Sequence, residues 1–165
     1  MSVEAKLNEL NFVDVGVFLH GFTQYMRDYF FAYEVGGATS HAGRYYCFFT
    51  HCVLARVETR VNHDTWRESW GDEFTDHQTW QEAGEPHGFV WGTNWSLAYP
   101  GLEYIRNSKL ARDWSTKLQK EMHEVTVDTE AFSIQLIFHD IRIQKVTADV
   151  NVINKIIFPM KGKSA

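Results

Sequence analysis

The sequence is sparing with cysteine, with long apolar runs and with positive charge, and each shortage removes a class of protein. Only Cys47 and Cys52 occur in 165 residues. The extended chain between them spans about 16 Å, well beyond the reach of a disulfide, and the odd spacing puts them on opposite faces of a strand. They read as two buried thiols kept in a reducing compartment. His51 points to the other face from Cys52, so this adjacent pair is not a nucleophile with its base. No apolar stretch approaches the roughly 20 residues that cross a bilayer, and the amino end, MSVEAKLNELN, lacks the basic start and apolar run of a signal peptide. A cytoplasmic protein with no membrane partner is the expectation. Lys and Arg number 16 against 21 Asp and Glu, a formal net charge of −5, which opposes attraction to a phosphate backbone and argues against nucleic acid. The basic stretch Arg106, Lys109, Arg112, Lys117 and Lys120 reads as the solvated face of a helix.

Motifs that fix a reaction are missing too. The sequence holds no G-x-S-x-G elbow, no phosphate loop and no dinucleotide fingerprint. Eight histidines invite a metal reading, yet no HExxH, HxH or Cys-x-x-Cys spacing occurs. His123-Glu124 and His139-Asp140 are neighbours whose side chains diverge. No catalytic residue, cofactor or metal is assigned, and binding is favoured over catalysis. The fallback metal set is His51, His123 and His139, assembled across strands.

What is present is alternation. The length fits one domain, residues 1–165, able to bury about two thirds of its unfolded surface. Apolar residues on every second position predict strands over about 11–22 and 25–35, then over 45–61 after the turn GGATSHAG. The first half of that third strand, YYCFF, is apolar on both faces and calls for cover on both. A further strand over 89–99 has a large face and a small face and ends at Tyr99-Pro100-Gly101. Leu110, Ala111, Trp114, Leu118 and Met122 form the stripe of a helix over about 108–123, capped by Asn107 or Ser108 and packed through Trp114 and Leu118. In FSIQLIFHDIRIQKV the apolar parity switches at His139-Asp140, as a bulge or a tight hairpin would require. The fold class is α+β: a mainly antiparallel sheet of about five to seven strands with one long helix against it.

The densest feature is WRESWGDEFTDHQTWQEAGEPHGFVW, residues 66–91. Between 62 and 88, Asp64, Glu68, Asp72, Glu73, Asp76, Glu82 and Glu85 stand against Arg67 alone. Trp66, Trp70 and Phe74, four apart, predict a short helix over about 64–75, begun by Asn62 or Asp64, with rings toward the sheet and carboxylates in water. Asp72, Glu73, Asp76, Glu82 and Glu85 with Trp80 are then the expected contact surface for a basic protein, in the manner of an immunity or antitoxin-like inhibitor. The alternative is a small-molecule cleft on the small-residue face Gly92, Asn94, Ser96 and Ala98, ringed by His87, Tyr99 and Tyr104. A carbohydrate-binding module is disfavoured by the missing secretion signal. Homo-oligomerisation is compatible with either reading.

Overall fold

The computed structural model describes residues 1–10, 12–37, 41–68, 76–86, 90 and 96–146. In chain order its elements are α1 (Val3–Leu10), β1 (Gly16–Phe22), β2 (Tyr29–Val35), β3 (Gly43–Thr50), β4 (Leu54–Thr59), α2 (His63–Glu68), α3 (His77–Glu82), β5 (Ser96–Leu97), β6 (Gly101–Tyr104), α4 (Lys109–Leu118), β7 (His123–Asp128), β8 (Phe132–Phe138) and β9 (Asp140–Val146). The expected α+β class holds, but the strands form two antiparallel sheets rather than one: β5-β1-β2-β3-β9 and β4-β8-β7-β6. Among the described residues, no helix is long and apolar enough to cross a membrane.

The second sheet arises because two expected strands are each broken once, at the same place in space. The 45–61 segment breaks at His51, whose φ is 50°, and the 132–146 segment breaks at His139. Neither a bulge nor a hairpin accounts for the parity switch. Instead β3 pairs with β9 and β4 pairs with β8, so two neighbouring chains turn together from one sheet into the other. The ladder is kept across the corner by His139 N–H donating to the Thr50 carbonyl (3.0 Å) and by the Thr50 hydroxyl donating to the Asp140 carbonyl (3.0 Å). Strands that switch sheets at a corner are one established way of joining two layers. The switch puts Ile134, Leu136 and Phe138, then Ile141, into the same core.

A second join closes the other side. The expected 11–22 strand is regular only from Gly16, because Asp14 takes a φ of 56°. Residues 12–15 nevertheless stay bonded: Leu102 N–H donates to the Phe12 carbonyl (3.1 Å), Asp14 N–H to Ala98 (2.9 Å) and Ala98 N–H to Val15 (2.9 Å). Phe12 thus touches β6 of one sheet while Gly16 and Val17 pair with β5 of the other. Residues 25–28, expected as strand, form the turn between β1 and β2, with Met26 at φ 55°.

Between the sheets lie Val15, Val17, Tyr29, Phe31, Tyr33, Cys47 and Phe49 against Val125, Val127, Ile134, Leu136 and Phe138. Phe49 meets Phe138 edge to face at 4.8 Å. Both cysteines are free and buried. As YYCFF implied, β3 is covered on both faces: Tyr46 and Phe48 join Phe30 and Ala32 in a second cluster on the outer side. Helix α1 was not foreseen, although Val3, Leu7 and Leu10 recur at helical spacing and all three are buried.

Helix α4 lies on the outer face of the four-stranded sheet, where Leu110, Ala111, Trp114 and Met122 pack with Ile137, Val53 and Leu54. Ser108 caps it, accepting the Ala111 N–H at 2.9 Å. The helix stops at Leu118, short of the expected 123, because Gln119 adopts the left-handed conformation (φ 50°) and serves as C-cap. Leu118 is 43% exposed and does not anchor it. The Trp114 ring is only half-buried, with the Lys117 ammonium 5.0 Å from its centroid, so it packs less deeply than a core ring.

Gly101 decides the second join. Its φ is 94°, and a Cβ there would sit 2.0 Å from the Phe12 carbonyl oxygen. Only glycine combines that conformation with that approach. Gly101→Ala is expected to destabilise the fold by about 1–3 kcal/mol from backbone conformation alone, and by more once the clash is added. Chemical denaturation measures the loss, and an unchanged midpoint would refute the join.

Candidate functional site

Three regions carry the residues singled out in the sequence. The first is the acidic arm. Asn62 starts α2, its side chain accepting the Thr65 N–H at 2.8 Å. Asp76 starts α3 with a capping box: its carboxylate accepts the Thr79 N–H at 2.8 Å, and the Thr79 hydroxyl accepts the Asp76 N–H at 3.4 Å. The Thr79 N–H, foremost, holds the Asp76 carboxyl below the usual carboxylate range. No residue of α2 or α3 is buried. Asp64, Glu68, Asp76, Glu82 and Glu85 are all exposed, whereas Trp66 and Trp80 are half-buried. The indoles are held locally, Trp66 Nε1 donating to the Thr59 hydroxyl (3.2 Å) and Trp80 Nε1 to the Pro86 carbonyl (2.8 Å). Asp72, Glu73, Trp70 and Phe74 lie outside the described residues, so the expected 64–75 helix is seen only as its first part, His63–Glu68.

The second region is the ribbon corner, which gathers the fallback metal set. The His51 and His139 rings meet edge to face at 6.0 Å. His51 N–H donates to the Asp28 carboxylate (3.0 Å), which also takes two bonds from the Arg27 guanidinium at 3.0 and 3.2 Å. Burial pushes the Asp28 carboxyl up, but Arg27 and the His51 N–H outweigh it and leave it lowered. Across the corner, His123 Nδ1 lies 3.0 Å from the Tyr104 hydroxyl. His139 Nδ1 lies 2.7 Å from the Glu121 carbonyl. A carbonyl only accepts, so that Nδ1 carries a proton. Tyr104, Glu121, His123, His139 and Asp140, with the first turn of α1, line a cavity of about 370 Å³, while His51 and Asp28 stand outside it.

That corner resembles a proton-handling site in its residue types, but its groups are already engaged in holding the fold. Lys6 pairs with Asp140 at 2.7 Å and Arg106 with Glu4 at 2.5 Å, fastening α1 over the cavity. Among the described residues, no group of three or more His, Cys, Asp or Glu side chains is arranged to hold a metal ion. His51, His123 and His139 are brought to one corner without converging on one point.

The third region is the expected cleft. His87 and Asn94 lie outside the described residues. Ser96 sits in β5 with its hydroxyl accepting the Ala131 N–H at 3.2 Å. Tyr99 is 62% exposed, and its carbonyl accepts from Arg60 at 2.8 Å. Tyr104 stands at the opposite end of β6, beside His123. The described members of the set thus stand in β5, just before β6 and at the far end of β6.

Two antiparallel layers joined at two corners, with short helices packed around them, define a two-sheet α+β protein. A family model described as YxiG-like protein matches residues 1–155. The chain belongs to the YxiG-like protein family. No curated protein matches it. Among solved structures, an uncharacterized protein from Neisseria gonorrhoeae is 11% identical, with a TM-score of 0.36 over 82% of this chain and 94% of that one, a likeness too low to support any argument.

Two half-buried histidines are expected to give stability a pH dependence. Burial lowers the pKa of His20 and, as the largest effect, that of His123. The folded state then binds a proton less readily than the unfolded chain, so stability is full above about pH 6.5 and falls as pH drops below it. Melting temperature is expected to decline between about pH 7 and pH 5, and less steeply in His20→Gln/His123→Gln. Parallel slopes for variant and wild type would show that these rings do not carry the effect.

Proposed function

We propose that this protein is a cytoplasmic binding domain that captures a basic protein through the acidic surface of α2 and α3, as an immunity or antitoxin-like inhibitor does. The observation that carries the reading is that neither helix buries a single residue. Helices that contribute nothing to a core are retained for what they present. Here they present five described carboxylates against one arginine, flanked by two half-buried indoles, which is the combination of charge and aromatic anchor that protein recognition uses. The same concentration of negative potential would steer a basic partner from a distance.

The capping box separates the roles of these acids. Asp76 begins α3, so reversing its charge removes the cap along with the charge. Glu82, whose visible partner is Gln78 at 2.9 Å, and Glu85 can be reversed while α3 keeps its start. For a partner captured from the native host, Glu82→Lys/Glu85→Lys is expected to slow association about tenfold at low salt, with the melting temperature nearly unchanged. Raising salt from about 50 to about 300 mM should shrink that difference, since screening removes steering. Equal association rates for wild type and variant at low salt would reduce the arm to a solvated face. Asp72→Lys/Glu73→Lys extends the test to the rest of the acidic stretch.

A further inference from the structure

Strand β4 is an outer strand of the four-stranded sheet: it pairs with β8 on one side and with no described strand on the other. Natural edges are commonly blunted by proline or by lysine, and the β4 sequence LARVET has neither. Arg60 N–H donates to the Ala131 carbonyl at 2.8 Å, extending a register in which Arg56 faces Gln135 and Glu58 faces Ser133. An antiparallel ladder bonds at every second residue. The backbones of Arg56, Glu58 and Arg60 therefore turn toward β8, and the N–H and C=O groups of Ala55, Val57 and Thr59 turn outward.

The side chains of this edge are open as well. Arg56, Val57, Glu58 and Thr59 are all exposed, Val57 by 43%. Val57 and Thr59 lie on one face of the sheet with Phe132 of β8, while Arg56 and Glu58 lie on the other. Neither Arg56 nor Glu58 joins an ion pair among the described residues.

The strand is complementary to itself. Laid antiparallel on a second copy with Val57 opposite Val57, it sets Ala55 against Thr59 and Arg56 against Glu58, each twice. The outward backbone groups of Ala55, Val57 and Thr59 then exchange bonds in pairs. The opposite charges meet at the non-hydrogen-bonded positions, where side chains come closest. The other described edges differ. Strand β9 carries Arg142 and Lys145 against Asp140 alone, β5 has two residues, and β6 already gives its Leu102 N–H to the Phe12 carbonyl.

We infer that β4 pairs with β4 of a second copy of this chain about a two-fold axis at Val57, joining two four-stranded sheets into one continuous sheet. Such a contact uses the same surface on both copies, so it closes as a dimer. It adds main-chain bonds and covers Val57 of both chains but little other apolar area, which places it among weak, reversible associations. It rests on β4 and not on the carboxylates of α2 and α3, so either reading stands without the other.

Sedimentation of the full chain at rising concentration reads the association. Wild type is expected to move from the 19.2 kDa monomer toward twice that mass. Arg56→Glu sets acid against acid across the axis, and Glu58→Arg sets base against base. Each should weaken self-association about tenfold at low salt, with the melting temperature of the monomer nearly unchanged because both side chains stand in water. An equimolar mixture of the two variants restores every opposite pair, as does the double exchange Arg56→Glu/Glu58→Arg, and both should associate as wild type does. A wild type that stays monomeric at every concentration, single variants that associate as tightly as wild type, or a mixture no tighter than its components would each overturn the inference. Glu82→Lys/Glu85→Lys should associate as wild type does; a loss there would move the contact to the acidic arm and overturn it too.

Discussion

The structure depends on one hydrogen-bonded ladder that does not stop where its sheet does. β3 and β9 remain paired up to Thr50 and Asp140, and β4 and β8 resume the pairing from Leu54 and Ile137. Backbone donors and acceptors cannot be left unpaired in a buried turn, so the two chains must bend together or not at all. Asp28 stabilises the bend from outside by accepting the His51 N–H, and Cys52 N–H reaches the Arg27 carbonyl at 2.8 Å. Once this corner is set, the inward faces of the two sheets are committed to each other. Phe49 and Phe138, just before the turn on each chain, are brought ring to ring.

The remaining elements close what the ribbon leaves open. Phe12 and Val15 tie β5 and β6 together on the far side, and α1 packs Val3, Leu7 and Leu10 into the core between the layers. Two ion pairs, Lys6 with Asp140 and Glu4 with Arg106, then fix the first turn of α1. They are partly or well exposed, so they orient the helix more than they stabilise it. Helix α4 covers the opposite face, positioned by Ser108, whose hydroxyl both receives the Ala111 N–H and donates to buried Glu124. Gln135 Nε2 completes that carboxylate at 2.7 Å, as burial of a charge demands.

Charge and ring are thereby sorted to different places. Apart from Phe12, the core aromatics come from strands, where alternation aims them inward; the described tryptophans of the arm come from helices of six residues, too short to drive a full face into a sheet. The arm keeps its described carboxylates in water.

Much of this was legible in the chain itself. The α+β class, the antiparallel strands, the two-faced burial of YYCFF, the free buried cysteines and the Ser108 cap follow from local chemistry: side-chain period, thiol spacing and an oxygen placed before a helical stripe. The acidity of the 62–88 stretch is likewise a property of composition. Helix α1 was also readable, since Val3, Leu7 and Leu10 carry the period. What tertiary structure alone decided was where regular strands break. The parity switch at His139-Asp140 was visible as a break, but whether it marked a bulge, a hairpin or a change of sheet depended on Thr50, which stands 90 residues away in sequence and beside it in space. The same holds for Gly101, whose need for glycine comes from the Phe12 carbonyl. Periodicity reports which face of a segment is apolar; only the packing of distant segments determines which other face it meets.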